Sequence, residues 1–258
     1  MIPYLFHIGP FYFNMHGFCI AMGLLIFLWA ASKDNLTKKH FKPNKLSNLT
    51  ILCVITGIFG ARILNIFQEQ YDSLYEMIAL WDGGLSLQGG VIAIAITLAL
   101  YAYIKKIKLW PILDIAGIYT PLLQSISRLG CFFAGCCYGY ETNLPWSIIY
   151  THPDSRAALC VTCHPTQLYS AIGLFLLFIL IKFVLQPYLR KPGQLASVYL
   201  IGSSLERFIN DFFRASHYEE PLFLNTISTS QLIALCLFGA GLILLIITSS
   251  AKNKYYSL

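Results

Sequence analysis

Charge is scarce in this sequence. Only 12% of its 258 residues are Asp, Glu, Lys or Arg, about half the share of an ordinary soluble domain. That supply cannot cover a globular surface. The chain is 57% hydrophobic with a mean hydropathy of +0.63, so much of its surface is expected to meet lipid. Several motifs are missing as well. There is no G-x-x-x-x-G-K-[ST] loop, no G-x-G-x-x-G and no H-E-x-x-H, so nucleotide-binding and zinc-protease signatures are excluded. No low-complexity linker or internal repeat breaks the chain, and it reads as one transmembrane domain over 1–258. No basic stretch precedes the first apolar run, so "MIPYLFHIGPFYFN" reads as leading into a retained span rather than a cleaved signal. The net charge of +6 would suggest nucleic acid in a soluble protein. Here its placement matters more, because basic loops mark the cytoplasmic side of a membrane protein.

What is present is a series of apolar stretches long enough to cross a bilayer as helices. Seven are read at 11–31, 48–67, 88–104, 111–127, 166–186, 194–213 and 229–249. The fourth is interrupted by Asp114, Pro121 and Gln124. Lys33, Lys38, Lys39, Lys42 and Lys45 follow the first stretch, and Lys105, Lys106 and Lys108 follow the third. Lys182, Arg190 and Lys191 mark the end of the fifth, and Lys252 and Lys254 lie in the tail. All fall on alternate ends, and Glu69, Asp72, Glu76, Asp82, Glu141, Asp154, Glu219 and Glu220 fall on the opposite ones. The expected fold is an all-α integral membrane protein of seven spans. Its N-terminus is outside, its C-terminus cytoplasmic, and a small outward loop region lies around 128–165.

The remaining basic residues are all arginines: Arg62, Arg128, Arg156, Arg207 and Arg214. A guanidinium stays charged when partly buried and grips phosphate with a planar fork. At membrane depth such a charge costs several kcal/mol, which makes it a functional candidate. Snorkelling, or structural pairing with Asp114, Glu206 or Asp211, is the competing explanation. Arg128 and Arg207 face the same leaflet, and together they favour an anionic lipid headgroup. Four stretches stand out around them: "GARILNIF" at 60–67, "WDGGLSLQGGVIAI" at 81–94, "SRLGCFFAGCCYG" at 127–139 and "SLERFINDFFR" at 204–214. Paired glycines flanking Gln88 allow close backbone approach or anion contact, or simply punctuate a helix end. Asp211 lies four residues after Arg207 and three before Arg214, on one helical face.

These motifs resemble the prolipoprotein diacylglyceryl transferase family. The resemblance runs over nearly the whole chain, through "WDGGLSLQGG", Arg128-Leu129-Gly130, "NLPW" (143–146), "HPTQLY" (164–169), "RFINDFFR" (207–214) and "ISTSQ" (227–231). It implies a bacterial inner-membrane transferase. Such an enzyme takes the diacylglyceryl group of phosphatidylglycerol and attaches it to the lipobox cysteine thiol of a preprolipoprotein signal peptide. Glycerol phosphate is released, and no cofactor or metal is needed. By this resemblance Arg128 and Arg207 clamp the phosphate, and Asp211 and Arg214 form a supporting ion network. Arg62, Ser86, Gly89, Gly90, Gly130, Asn143, His164, Gln167 and Tyr169 are the remaining substrate-side positions. The expected partners are phosphatidylglycerol, the signal peptide and the bilayer, with no nucleic acid, and the expected state is a monomer. The chain also departs from the family pattern. Gln88 stands where the family has a His, and neutral amide cannot act as a base. Cys131, Ala134 and Cys136 replace an Asn, Asn and Glu, and His16 stands where a Tyr is usual. His16, Gln88, Cys136 and Cys137 are therefore the altered catalytic positions.

Five cysteines, Cys131, Cys136, Cys137, Cys160 and Cys163, fall on the outer side, where disulfides form. The odd number leaves one thiol over, and pairing cannot be deduced from the sequence. Cys160-Val-Thr-Cys163-His164 also matches the haem-attachment pattern C-x-x-C-H. His164 is already accounted for by "HPTQLY", however, and the four methionines offer few axial ligands. Zinc requires reduced thiols. The other functional classes open to the sequence are a membrane thiol–disulfide oxidoreductase and a non-catalytic phospholipid-binding paralogue.

Overall fold

The structure, a computed structural model, describes residues 4–8, 11–69, 84–155, 157, 159–215, 222–223 and 227–250. A short hairpin pairs β1 (Tyr4–Ile8) with β2 (Phe11–Asn14). Helices α1 (Met15–Lys33), α2 (Asn35–His40), α3 (Pro43–Gln68), α4 (Leu87–Ile104) and α5 (Leu109–Ala134) follow. After α5 come β3 (Ile148–Ile149) and β4 (Thr162–Cys163), an antiparallel pair. Helix α6 (Thr166–Ile179) continues into a π-helical turn at Leu180–Leu185. The chain ends in α7 (Gln194–Asp211), the two-residue strands β5 (Leu222–Phe223) and β6 (Ile227–Ser228), and α8 (Thr229–Ser250).

Each of the seven apolar stretches contains a helix, with two changes at the ends. The first stretch begins as strand β2, where Phe11-Tyr12-Phe13 supplies β-prone aromatics. The fourth runs on to Ala134, so Arg128, Gly130 and Cys131 are helical and do not belong to the outward loop. Nothing in "SRLGCFFA" breaks a helix until Gly135, which has φ +65°. Among the described residues, five helices are long and apolar enough to cross a membrane: Met15–Lys33, Asn44–Gln68, Leu87–Ile104, Thr166–Leu185 and Thr229–Ser250. Helices α5 and α7 are not among these five; α5 carries Arg128 and α7 carries Arg207.

The distribution of polarity fits lipid and would not fit water. Leu25, Phe59, Ile96, Ile172 and Ile246 are each more than half exposed, whereas Asp114, Thr166, Gln167, Ser197, Asp211, Ser228 and Gln231 are buried. Burying such groups is tolerable only when they are hydrogen-bonded. Asp114 illustrates how this is met. Its carboxylate accepts from Gly193 N at 2.7 Å and Ala196 N at 2.9 Å, satisfying free amides at the start of α7 from another helix. Asp114 thus caps α7 through backbone amides, a structural role other than the arginine pairing the sequence suggested for it.

The chain divides into two compact units, one formed by Met1–Ala31 with Leu113–Leu258, the other by Ser32–Ile112. In the larger, α7 packs mainly on α8 and also on α6. In the smaller, α3 packs along α4. The contact is close because Gly60 and Gly89 have no side chains. A Cβ on Gly89 would stand 2.3 Å from Gly60 O, the kind of small-residue approach that membrane helices use.

Candidate functional site

The larger unit gathers most of the predicted residues. At the end of α7, Asp211 is buried between two arginines. Arg207 Nη2 lies 3.3 Å from its Oδ1, one turn before it, and Arg214 Nη1 lies 3.9 Å from the same oxygen. The other oxygen, Oδ2, accepts from Ser228 Oγ at 2.5 Å. Ser228 is fixed in turn by Gln231, which accepts from Ser228 N at 3.1 Å and whose own N–H donates to Ser228 Oγ at 3.1 Å. Arg207 Nη2 also donates to Ser230 Oγ at 3.2 Å. The "ISTSQ" stretch is therefore a bracket that holds the carboxylate and, through it, both guanidinium groups.

Arg128, on α5, is different. Among the described residues, no hydrogen bond or ion pair holds its guanidinium. It is half-buried, and its charge acts on Arg207, Glu206 and Cys137. Three arginines thus converge on one region with two carboxylates, one of them already committed. Such an arrangement is suited to an added anion.

Beyond Arg128 the helix ends in a thiol-rich elbow. Gly130 lies against α1, where a Cβ would stand 2.9 Å from His16 Cα. His16 Nδ1 is 3.7 Å from Cys131 Sγ. Gly135 and then Cys137, at φ +58°, turn the chain back. This brings the sulfurs of Cys131, Cys136 and Cys137 within 4.8 Å of one another. Helix α6 anchors the elbow through its backbone: Gln167 Nε2 donates to Cys136 O and Thr166 Oγ1 to Cys137 O, both at 2.8 Å. Gln167 also donates to Tyr150 Oη at 2.8 Å. Hydrogen bonds from Cys131 and Cys136 hold the Cys137 thiol below the ordinary range, helped by the charges of Arg214 and Arg128. Hydrogen bonds with Cys131 and Cys137, together with burial, push the Cys136 thiol up.

His164 directly follows β4. Its ring packs against Tyr140, Tyr169 and Phe213, and its Nδ1 is 3.2 Å from Tyr169 Oη. Trp146 Nε1 donates to that hydroxyl at 2.8 Å. An indole can only donate, so the Tyr169 proton is left to bond an unprotonated Nδ1. Burial lowers the imidazole pKa and agrees with a neutral ring. Asn143 lies nearby in sequence on the exposed loop.

The smaller unit holds the other predicted positions. Arg62 is buried and donates to Gly84 O at 2.8 Å, and Ser86 N donates to Ala61 O at 3.0 Å. Both tie α3 to the segment that opens α4. Gly89 is buried against Gly60, and Gly90 sits near Gly57, so these glycines serve helix packing. Gln88 is exposed and accepts from Gln68 Nε2 at 3.3 Å. Trp81-Asp82-Gly83, the start of that motif, lies outside the described residues, as does Arg156.

Two expectations about the outer cysteines change. All eight cysteines are free thiols, so the expected disulfides are not formed. Cys163 is buried and its thiol faces Ile148 O at 3.6 Å, whereas Cys160 is exposed on a left-handed residue. They do not join the three-sulfur cluster. The haem pattern fails on the same geometry, because Cys163 and His164 are both buried within the protein. The sequence assigns no role to Tyr140 and Tyr150, nor to Trp146 and Phe213 within the motifs that contain them. These are ordinary aromatic letters, and only the folded loop shows them around His164 and Gln167.

Comparison with known proteins agrees with the earlier resemblance. The family model "Prolipoprotein diacylglyceryl transferase" matches residues 3–247. The chain is 33% identical over 243 residues to the phosphatidylglycerol–prolipoprotein diacylglyceryl transferase of Clostridium tetani, covering 91% of this chain and 93% of that protein. It is 32% identical to transferase 2 of Clostridium perfringens, covering 89% and 88%. It is 28% identical to the Pasteurella multocida enzyme, covering 98% and 94%. The chain belongs to the prolipoprotein diacylglyceryl transferase family.

Proposed function

We propose that this protein transfers the diacylglyceryl group of phosphatidylglycerol to the thiol of a lipobox cysteine in a preprolipoprotein signal peptide. Family membership supports the reaction class. The observation that carries the site is the half-buried guanidinium of Arg128, without an acceptor among the described residues, in the same cluster as the Asp211-oriented Arg207. In the reaction the acceptor sulfur forms a bond to the terminal glyceryl carbon of the lipid. The carbon–oxygen bond to phosphate breaks, and the electron pair leaves on a phosphate oxygen as glycerol phosphate. The phosphate gains a negative charge as that bond breaks. Preplaced guanidinium groups lower the energy of that developing charge. Arg214 and Asp211 hold Arg207 in position.

The acceptor thiol must lose its proton. Gln88 cannot take it, and His16 beside Cys131 is the imidazole we assign to that step. Asn143 lies on the exposed loop on the peptide side, with His164, Gln167 and Tyr169 supporting it from behind; Gly130 shapes the helix that carries Arg128, and Arg62, Ser86, Gly89 and Gly90 shape α3 and α4 of the smaller unit. The whole chain acts as one seven-span domain in the bacterial inner membrane, monomeric, with the N-terminus outside and the C-terminus cytoplasmic.

The test uses the full chain in nanodiscs containing phosphatidylglycerol with a labelled diacylglyceryl group, together with a lipobox peptide. Labelled thioether on the peptide cysteine, absent with a Cys→Ser peptide, is expected. Folded, lipid-loaded protein that transfers nothing would instead support a non-catalytic phospholipid-binding paralogue, the reading suggested by Gln88.

A further inference from the structure

The three-thiol elbow supports an inference that stands apart from lipid transfer. We propose that Cys131, Cys136 and Cys137 bind a thiophilic metal ion, zinc(II) or copper(I), at the end of α5. Their sulfurs lie within 4.8 Å of one another. Metal–sulfur bonds of roughly 2.3 Å place ligand sulfurs about 3.8 Å apart around a tetrahedral ion. The cluster therefore needs only a small closure. Lone buried thiols are common and inert, but three on one elbow are not explained by packing.

The backbone is also shaped for this purpose. Cys137 holds a left-handed conformation at φ +58°, which a side chain bearing a Cβ adopts only at a cost. Placed two residues after Gly135, it could have been a glycine had a turn alone been required. Hydrogen bonds fix the ligand-bearing peptides from outside: Cys136 N donates to Cys131 O at 3.2 Å, and Thr166 and Gln167 hold the Cys137 and Cys136 carbonyls. Fixing the surrounding shell in this way is what orients metal ligands.

The charges agree as well. Each thiol gives up its proton on binding, so three thiolates leave a net charge of minus one with zinc and minus two with copper(I). The charges of Arg128 and Arg214 act on Cys137 and offset that surplus. His16 Nδ1, 3.7 Å from Cys131 Sγ, adjoins the cluster. Soft sulfur donors select zinc and copper(I) over magnesium or calcium.

The test is metal content and thiol protection of the full chain, purified in mild detergent without chelator and under reductant. Parallel samples are reconstituted with zinc or, anaerobically, with copper(I), then desalted. One retained ion per chain is expected, and the arm that retains it identifies the metal. Cys131→Ser and Cys137→Ser should each lose it, whereas Cys160→Ser and Cys236→Ser should keep it. Because a serine variant can misfold, the wild-type chain is also alkylated with and without metal and mapped by mass spectrometry. Metal should protect Cys131, Cys136 and Cys137 at least tenfold relative to Cys160. Stoichiometry near zero in both arms, unprotected cluster thiols, or a disulfide within the cluster in protein isolated without reductant would overturn the proposal.

Discussion

Arg128 separates activity from stability in a way that few residues of a buried site can. Its guanidinium has no hydrogen-bond partner among the described residues and sits near two other positive groups. Arg128→Ala therefore removes no native hydrogen bond or ion pair; it relieves repulsion with Arg207 and gives up a longer-range attraction to Glu206, two small opposing changes. Thermal stability in detergent should stay within about 0.5 kcal/mol of wild type, the range of substitutions that break no specific contact. Transfer should respond differently. Loss of one preplaced donor to developing charge costs roughly 3–4 kcal/mol, a fall of about 10²–10³ in kcat. Arg128→Lys keeps the charge but loses the fork, so it should fall between the two. The assay is initial-rate thioether formation at varied phosphatidylglycerol, with melting followed on the same preparations. A kcat within about threefold of wild type in a stable Arg128→Ala protein would refute the clamp. So would a large stability loss accompanying the rate loss, because Arg128 would then be structural.

Three further outcomes follow from other contacts. Asp211→Asn leaves Arg207 and Arg214 without their shared carboxylate, 2% exposed in its side chain. Thermal unfolding should show a loss of roughly 3 kcal/mol, with transfer activity falling alongside. Gly89→Ala would set a Cβ 2.3 Å from a backbone oxygen that cannot yield, costing about 1–3 kcal/mol in overpacking. Gly239→Ala, with open space around it, is the neutral control in the same melting assay. His164, lowered from 6.5 by burial, is neutral when folded and takes up a proton more readily when unfolded. Its contribution is complete above about pH 6.5 and is lost as pH falls through the depressed folded value. Melting temperature should drop on acidification, and His164→Phe should flatten that slope.

The helices were legible because lipid demands long apolar runs, and "GLLIFLWAA" or "LILLIITSS" permits little else. The arginines were legible for the converse reason, since a charge in such a run has few innocent explanations. What the sequence could not resolve was whether a polar residue serves the fold or the substrate. Arg62 and Arg128 look alike in the chain, yet one is fixed on Gly84 O and the other lacks such a partner among the described residues. The glycines around Gln88 read equally well as an anion cradle or a packing seam. Only the packing favours the seam, because a Cβ on Gly89 would stand 2.3 Å from Gly60 O. Cys160 and Cys163 looked like companions of the other outer cysteines because spacing reports nothing of loop direction. The β3–β4 pairing turns Cys163 inward and leaves three sulfurs, not five, together.

The departures from the family pattern then take on a physical meaning. A carboxylate at position 136 would add negative charge to the elbow, one residue from Cys137, on which the charges of Arg128 and Arg214 act. Cys136 and Cys131 supply that charge only when deprotonated, so the electrostatics of the elbow become conditional on what it binds. With neutral thiols, the arginine cluster has a net surplus of positive charge and is at its most receptive to an anionic headgroup. With a metal held by three thiolates, part of that surplus is neutralised, and attraction for a phosphate must weaken. Screening by salt would be slight at this burial, so the difference would persist at physiological ionic strength. Phosphatidylglycerol affinity should therefore be lower in metal-loaded than in metal-free protein, and Cys137→Ser should remove the difference. Titration of both forms with phosphatidylglycerol nanodiscs reads this out, and equal affinities would separate the two sites energetically.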